Sequence, residues 1–407
     1  MASIHSLHDK AEPAGHQIPV VLMATGAGLS VASLYYSQPL LGDLAAQLGT
    51  SDDMIGLIPM LTQLGYAAGI LLLIPLGDRY DRRNIILFKT ALLALALLAT
   101  TLAPGMGTLL AASLVIGLSA TLAQDIVPSA AALAPVAHRG KIIGSVMTGL
   151  LLGILLSRVA SGFIAELWGW RVVYGIAAAL IALAGVAFVY KFPSVTPSTT
   201  LSYRALLGSM WALLIKYRDM RRAALAQGLL SVAFGAFWSA LAIMLHGAPF
   251  HLGSAAAGAF GLAGAAGALA APIAGRLADR RGPEMAVRLG AVVATVGFAM
   301  MLAMPVLPVT GQLILIAVSA VLFDFGIQAS LVSHQTIVYS LEPAARSRLN
   351  ALLFTGVFIG FATGSAAGSW TFAHVGWGAV TILCALMSVA ALAIRFTGKR
   401  ASQTVSV

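Results

Sequence analysis

The sequence predicts an all-α integral membrane fold, with twelve transmembrane helices in two pseudo-symmetric six-helix halves. Three observations predict it. Hydrophobic residues make up 59% of the 407 residues and charged ones only 9%, with a mean hydropathy of +0.93. A soluble chain of this length could not cover its surface with so few charges, so lipid must be the solvent for much of it. Twelve apolar stretches follow one another, at roughly 18–41, 54–76, 84–104, 107–135, 141–165, 168–190, 221–245, 255–277, 284–304, 309–338, 346–372 and 375–396. Each has about the twenty residues that a bilayer crossing needs. Finally, a charged turn is repeated. Pro75-Leu76-Gly77-Asp78-Arg79-Tyr80-Asp81-Arg82-Arg83 returns as Gly275-Arg276-Leu277-Ala278-Asp279-Arg280-Arg281-Gly282, with Asp279 lying 201 residues after Asp78. Arg139 and Arg346, then Gly169-Trp170 and Gly376-Trp377, recur 207 residues apart. A charged turn at one place in two runs of apolar helices is the frame of a transporter.

Taken in order, residues 1–16 read as a polar tail with His5, His8 and His16 at irregular spacing, and without the pattern of a signal peptide. The first half covers 17–190. A linker at 191–220 is broken by Pro193, Pro197 and the Ser/Thr cluster 198–200. Within it Leu206, Met210, Leu213 and Leu214 recur at helical spacing beside Arg204, Lys216 and Arg218, which suits a short amphipathic helix on the membrane surface. The second half covers 221–396, and residues 397–407 form a second tail. Basic residues gather at the even-to-odd connections and the termini, with only Arg158 and Arg171 elsewhere. By the positive-inside rule both termini and the linker are cytoplasmic. The net charge of +10 is therefore topology and calls for no nucleic-acid partner. Cys384, the single cysteine, lies in an apolar run, so neither a disulfide nor a cysteine metal site is available, and no metal or cofactor is expected. Trp168, Trp170 and Trp377 are assigned to an interfacial aromatic belt.

Small residues mark close helix packing. Gly356, Gly360, Gly364 and Gly368 fall four apart in the eleventh span, and Gly149, Gly153, Ser157 and Ser161 match them in the fifth. Gly65 and Gly69 do the same in the second span, and Gly258, Gly261, Gly264 and Gly267 more loosely in the eighth. Such faces let backbones approach where no hydrophobic effect drives helices together.

An ionisable group inside the bilayer costs roughly 2.5–3.5 kcal/mol on insertion scales, so each one present needs a reason. Three qualify: Asp125, Arg158 and Asp324. Arg158 aligns with Ser365 in the repeat, an asymmetry that suggests a role beyond the shared scaffold. It either binds an anionic substrate group or exchanges partners with a protonating carboxylate; the plainer alternative is a static ion pair between the fourth and fifth spans. Asp324 is either a proton carrier or a structural hydrogen-bonding group. Asp125 ends an inward-facing polar stripe with Ser113, Gly117 and Thr121, or gates the cytoplasmic end with Arg139. Tyr35, Tyr36, Gln38, Gln63, Gln227, Trp238 and Gln328 can line a cavity between the halves, since polar side chains in lipid turn inward; each can equally serve packing. In the repeated turns Asp78 and Asp279 can attract helix N-termini while Arg79, Arg82, Arg83, Arg280 and Arg281 bond acids and helix ends.

These residues resemble the major facilitator superfamily over about residues 17–396. Its signature loop reads roughly G-x-x-x-D-R-x-G-R-R. Gly275, Asp279, Arg280, Arg281 and Gly282 match it well; the first copy matches at Asp78, Arg79, Arg82 and Arg83 but has Ile74 and Asp81 in place of glycines. Leu34-Tyr35-Tyr36-Ser37-Gln38-Pro39-Leu40-Leu41 is similar to a segment of bacterial twelve-helix drug or sugar efflux permeases. The helix-four arginine common in drug–proton antiporters is replaced by Ser113, and the helix-five glycine–proline pattern is missing around Gly149–Gly153. The resemblance implies a monomeric, multi-pass protein of the bacterial inner membrane, exporting a small organic compound in exchange for protons by alternating access. It also implies that the two signature loops, with Arg139 and Arg346, latch the cytoplasmic side. A proton-linked importer or facilitator is the alternative, and a non-transporting sensor a more distant one. There is no phosphate-binding G-x-x-x-x-G-K-[ST] loop and no cluster of nucleophile, base or metal ligands, so an enzyme is not expected.

Overall fold

The computed structural model describes residues 19–197 and 199–397, with backbone alone at 265–269 and 271; the histidine-bearing tail and Ser198 lie outside the described residues. Among the described residues, ten helices are long and apolar enough to cross a membrane, and two shorter apolar ones make twelve. In chain order these are α1 (Val20–Ala32), α2 (Asp52–Arg79), α3 (Arg82–Thr101), α4 (Met106–Leu133), α5 (Val136–Trp168), α6 (Trp170–Lys191) and α7 (Arg218–His246). They continue with α8 (254–281), α9 (Pro283–Val306), α10 (Val309–Leu341), α11 (Pro343–Val375) and α12 (Trp377–Phe396). The all-helical fold read from the sequence is the fold observed.

The first span departs from a simple helix. Regular α-structure stops at Ala32, and Ser33, Leu34 and Tyr35 instead donate to the carbonyls three residues back. Pro39 explains this: its ring crowds the carbonyl four residues earlier, that of Tyr35, and it has no N–H to give. The chain tightens through a 3₁₀ turn, Gln38–Leu40, before resuming as Leu41–Leu48. α8 has a matching irregularity, a 3₁₀ segment at Phe260–Gly264.

Small-residue faces pair the helices as the spacing predicts. A methyl group added at Gly153 would strike Gly28 of α1; one at Gly360 would strike Gly228 of α7, and one at Gly364 would strike Val232. The α1–α5 and α7–α11 contacts are thus equivalent in the two halves. Trp170, expected at the interface, is instead buried, with its indole N–H on Gln47 at 3.0 Å.

The ends of the bundle differ. At the end away from the charged turns the halves interlock: the Ser254 hydroxyl donates to the Gly162 carbonyl at 3.0 Å, and the Ala255 N–H donates to Glu166 at 2.7 Å. Asp43 faces His246 at 3.4 Å there. At the turn-bearing end, Gly140 and Gly144 of α5 and Gly275 of α8 have open space around them. The α5–α8 seam is sealed at one end and parted at the other. Between the halves Tyr203–Lys216 forms the expected helix, with Leu206, Met210 and Leu213 buried. Leu206 and Met210 line one small cavity with Ile74 and Pro75 of α2 and Ala351 of α11.

Candidate functional site

Arg158 sits in the sealed part of the α5–α8 seam. Two glycines of α8 make its place: a methyl at Gly258 would collide with the Arg158 carbonyl, and one at Gly261 would lie 2.8 Å from its Cβ. The guanidinium lies over the ring of Tyr35 at 4.5 Å and that of Trp238 at 4.7 Å, and Nε donates to the Gln38 amide oxygen at 2.6 Å. The tightened stretch of α1 is what turns Tyr35 and Gln38 toward it. Arg158 is 3% exposed, and its Nη2 has no acceptor among the described residues. Cation–π contacts are worth roughly 0.5–2 kcal/mol each, whereas burying an ion costs several kcal/mol even after relaxation. The ring contacts and one amide offset part of that cost and leave Nη2 without an acceptor among the described residues. The other buried cations differ: Lys89 pairs with Asp125, and Arg395 with Glu284.

Asp324 of α10 approaches the same 3₁₀ segment one turn on. A methyl at Gly264 would sit 3.3 Å from its Oδ2, and residues three apart in a 3₁₀ helix share a face. Arg158 and Asp324 therefore rest on one turn of α8, close enough to act on each other electrostatically, yet no ion pair joins them. Oδ1 of Asp324 also lacks a partner among the described residues, as do Trp238 Nε1 and Gln63 Oε1. The glycines of the eighth span thus do more than pack helices: they make room for both charges.

The other cavity candidates divide. Tyr35, Gln38 and Trp238 touch Arg158. Gln63 reaches the Leu34 carbonyl at 3.5 Å, beside the tightened stretch. Tyr36 turns away, packing edge-on against Tyr174 and lining a groove of about 550 Å³ between α1, α5 and α6. Gln227 belongs to a separate buried contact, its amide oxygen 2.9 Å from Nδ1 of His334. Gln328 is half-buried and joins neither group.

Asp125 does not meet Arg158 or Arg139. Its partner is Lys89 of α3, at 2.7 Å with both side chains 2% exposed. A shared depth explains the pair: Lys89 lies about two turns into α3 from the charged turn, and Asp125 about two turns from the matching end of α4. Lys89 falls with the loop cations in the positive-inside distribution; its position inside the third span is the signal that sets it apart. The first signature loop closes over this pair. A methyl at Gly77 would lie 3.0 Å from Oδ1 of Asp125, Arg82 bonds Asp78 at 2.8 Å, and Arg83 bonds the Val189 carbonyl at 2.6 Å. Arg79 reaches the Leu201 carbonyl of the linker at 3.3 Å.

Asp81 accounts for the first loop's missing glycine. In the second copy Gly282 turns the chain with φ +83°, where a side chain is strained. Asp81 turns it with φ −57° and caps α3, accepting from the Arg83 N–H at 2.9 Å and the Val195 N–H of the linker at 3.0 Å. The second loop is unengaged here: Asp279, Arg280 and Arg281 have no ion pair or side-chain hydrogen bond among the described residues, and Arg139 has none either. Arg346 bonds the Tyr339 carbonyl at 3.3 Å. Among the described residues, side-chain contacts of this kind are made by the first copy and not by Asp279, Arg280 or Arg281 of the second.

Comparison with known proteins agrees with this architecture. The family model described as Major Facilitator Superfamily matches residues 23–341 and 223–406. The chain is 37% identical over 379 residues to YgaY, an uncharacterized transporter of Escherichia coli O157:H7, covering 93% of this chain and 95% of that one. It is 32% identical over 365 residues to SCO4007, a probable transporter of Streptomyces coelicolor, covering 89% and 83%. Among solved structures, the nucleoside transporter NupG superposes with a TM-score of 0.75 at 15% identity, over 93% of this chain and 99% of that one. That likeness speaks to the fold alone. With its twelve helices and doubled charged turn, this chain belongs to the major facilitator superfamily, a family of membrane transporters rather than enzymes.

Proposed function

We propose that this transporter couples the movement of a small organic compound to protons by alternating access. The observation that carries the reading is the pair Arg158 and Asp324, buried on opposite halves against one turn of α8 without touching. Ionised, Asp324 is drawn to Arg158; protonated, it releases it. A pair of that kind reports proton occupancy to the seam between the halves. The halves, 17–190 and 221–396, rock about the linker 191–220. The positive-inside distribution supports a cytoplasmic location for the turn-bearing end and both termini, so the parted end of the seam faces the cytoplasm. The first signature loop with Lys89 and Asp125 is a preformed part of the inner latch, which the second loop joins when that end closes. Export from a bacterial cell in exchange for protons is the direction implied by the resemblance to efflux permeases, with the protein working as a monomer in the inner membrane. Proton-linked import is a second reading, favoured by Arg158 having no acid at ion-pair distance among the described residues.

The test uses proteoliposomes with a pH-sensitive dye inside and a panel of drugs and metabolites outside. Compounds that move protons with the native protein should fail to do so with Asp324→Asn, while exchange of labelled for unlabelled compound continues. Unchanged proton movement in the variant would remove Asp324 from the mechanism.

A further inference from the structure

We infer that the group this site recognises on its substrate is a carboxylate, held edge-on by Arg158, and that the carboxylate and the proton load together. The inference rests on the proton-coupled reading above but not on its direction. The rings of Tyr35 and Trp238 lie 4.5 Å and 4.7 Å from the guanidinium carbon, and Nε is taken by Gln38. What remains is the terminal edge with the unpartnered Nη2. A planar anion with two oxygens matches that edge, because a guanidinium offers parallel N–H donors at carboxylate spacing. The unpartnered Trp238 Nε1 is a further donor on the same helix-lined wall, and Phe234, with its ring centroid 5.8 Å from the guanidinium, lends the wall apolar surface for the rest of the molecule. A cationic substrate would meet Arg158 as a like charge. A neutral one could accept hydrogen bonds at that edge but would bring no charge to balance the buried cation.

Charge balance sets the order of events. With Asp324 ionised, the site holds one positive and one negative charge. Adding a carboxylate then leaves a net negative charge in a buried place, which is costly. With Asp324 protonated, the carboxylate completes a neutral pair with Arg158. Anion and proton therefore favour each other's binding by reciprocal linkage, and they cross in the same direction. This sides with proton-linked movement of an acid over exchange.

The experiment compares a library of small carboxylic acids with the corresponding amides and amines, measuring binding to the purified protein and dye-reported proton movement in proteoliposomes. Acids should bind, their amides and amines should not, and each acid should carry protons with it. Affinity should fall at least tenfold from pH 5.5 to pH 8 in the native protein. Asp324→Asn, which keeps Arg158 in place, should bind the acids at pH 8 at least tenfold more tightly than the native protein and lose the pH dependence. Arg158→Lys should weaken binding at least tenfold. Amides or amines that bind as well as acids, no acid that binds, or acid binding indifferent to both variants would overturn the inference. If neutral or cationic compounds instead drive proton movement, the coupling reading stands and the carboxylate falls. If acids bind with the stated dependence on Arg158 and no protons move, the carboxylate stands and the coupling falls.

Discussion

Replacing Asp125 with asparagine leaves Lys89 buried with no anion. The two side chains are 2% exposed and their N–O separation is 2.7 Å, so bulk water cannot stand in for the lost carboxylate. Breaking a buried ion pair from one side costs about 3–5 kcal/mol, most of it the stranded charge. Asparagine still accepts one hydrogen bond, which places the expected loss near the lower figure, about 3 kcal/mol. Removing both charges at once strands nothing. The double variant Lys89→Met/Asp125→Leu should therefore recover to within about 1 kcal/mol of the native protein, because hydrophobic replacements of buried pairs are often neutral or better. Reversible unfolding in mixed micelles, followed by helix content as the fraction of denaturing detergent rises, reads both quantities. If the double variant is as unstable as the sum of the two single ones, the pair is not a pair, and the argument from burial fails. A folded Asp125→Asn preparation should also keep its substrate-driven proton movement, which separates this aspartate from Asp324.

Further outcomes follow from the site and the loop. Gly261→Ala places a methyl 2.8 Å from Cβ and 3.1 Å from Cδ of Arg158, so transport should fall more than tenfold with little change in expression. Gly107→Ala, with open space around it, should leave transport unaltered. Asp81→Ala removes the α3 cap, worth about 0.5–2 kcal/mol, together with the linker's hold at Val195, and amide exchange over 192–197 should accelerate. Burial pushes the Asp81 carboxyl up, but the N–H donors of Val195 and Arg83 outweigh it and hold it below the usual carboxylate range. A depressed carboxyl contributes fully above its unfolded value of about 3.9, and that contribution is lost as the pH drops through the lower folded value. Exchange at the linker should therefore be flat from pH 7 to pH 5, once corrected for intrinsic rates, and protection should be lost only in stronger acid.

The membrane helices were legible because a bilayer imposes one length and one polarity on every crossing. Pairing across helices was not. Lys89 and Asp125 are far apart in sequence and become partners only because α3 and α4 pack with their matching depths aligned. Pro39 marks the break in α1, yet hydropathy extends a single span to residue 41, since its neighbours are as apolar as a helix interior. Arg158 stood out as an ion in an apolar run, and its asymmetry with Ser365 was visible. Its ring contacts were not, because Tyr35 and Tyr36 are adjacent and only the backbone's tightening decides which one faces inward. Asp81 looked like a lapse from the family pattern. Its cap and its hold on the linker depend on backbone angles that a sequence does not display.

The 3₁₀ segment of α8 is also a store of length and of rotation. Its five residues, Phe260–Gly264, rise about 2.0 Å each against about 1.5 Å in an α-helix. Relaxing them to α-geometry would shorten α8 by about 2.5 Å and twist one part against the other by about 100°. The part before the segment is tied to α5 at Gly162 and Glu166; the part after it ends in the second charged turn. A change of winding at the seat of Arg158 and Asp324 would therefore re-aim Asp279 and Arg280 at the opposite membrane surface, giving the idle loop a mechanical connection to the charges in the middle.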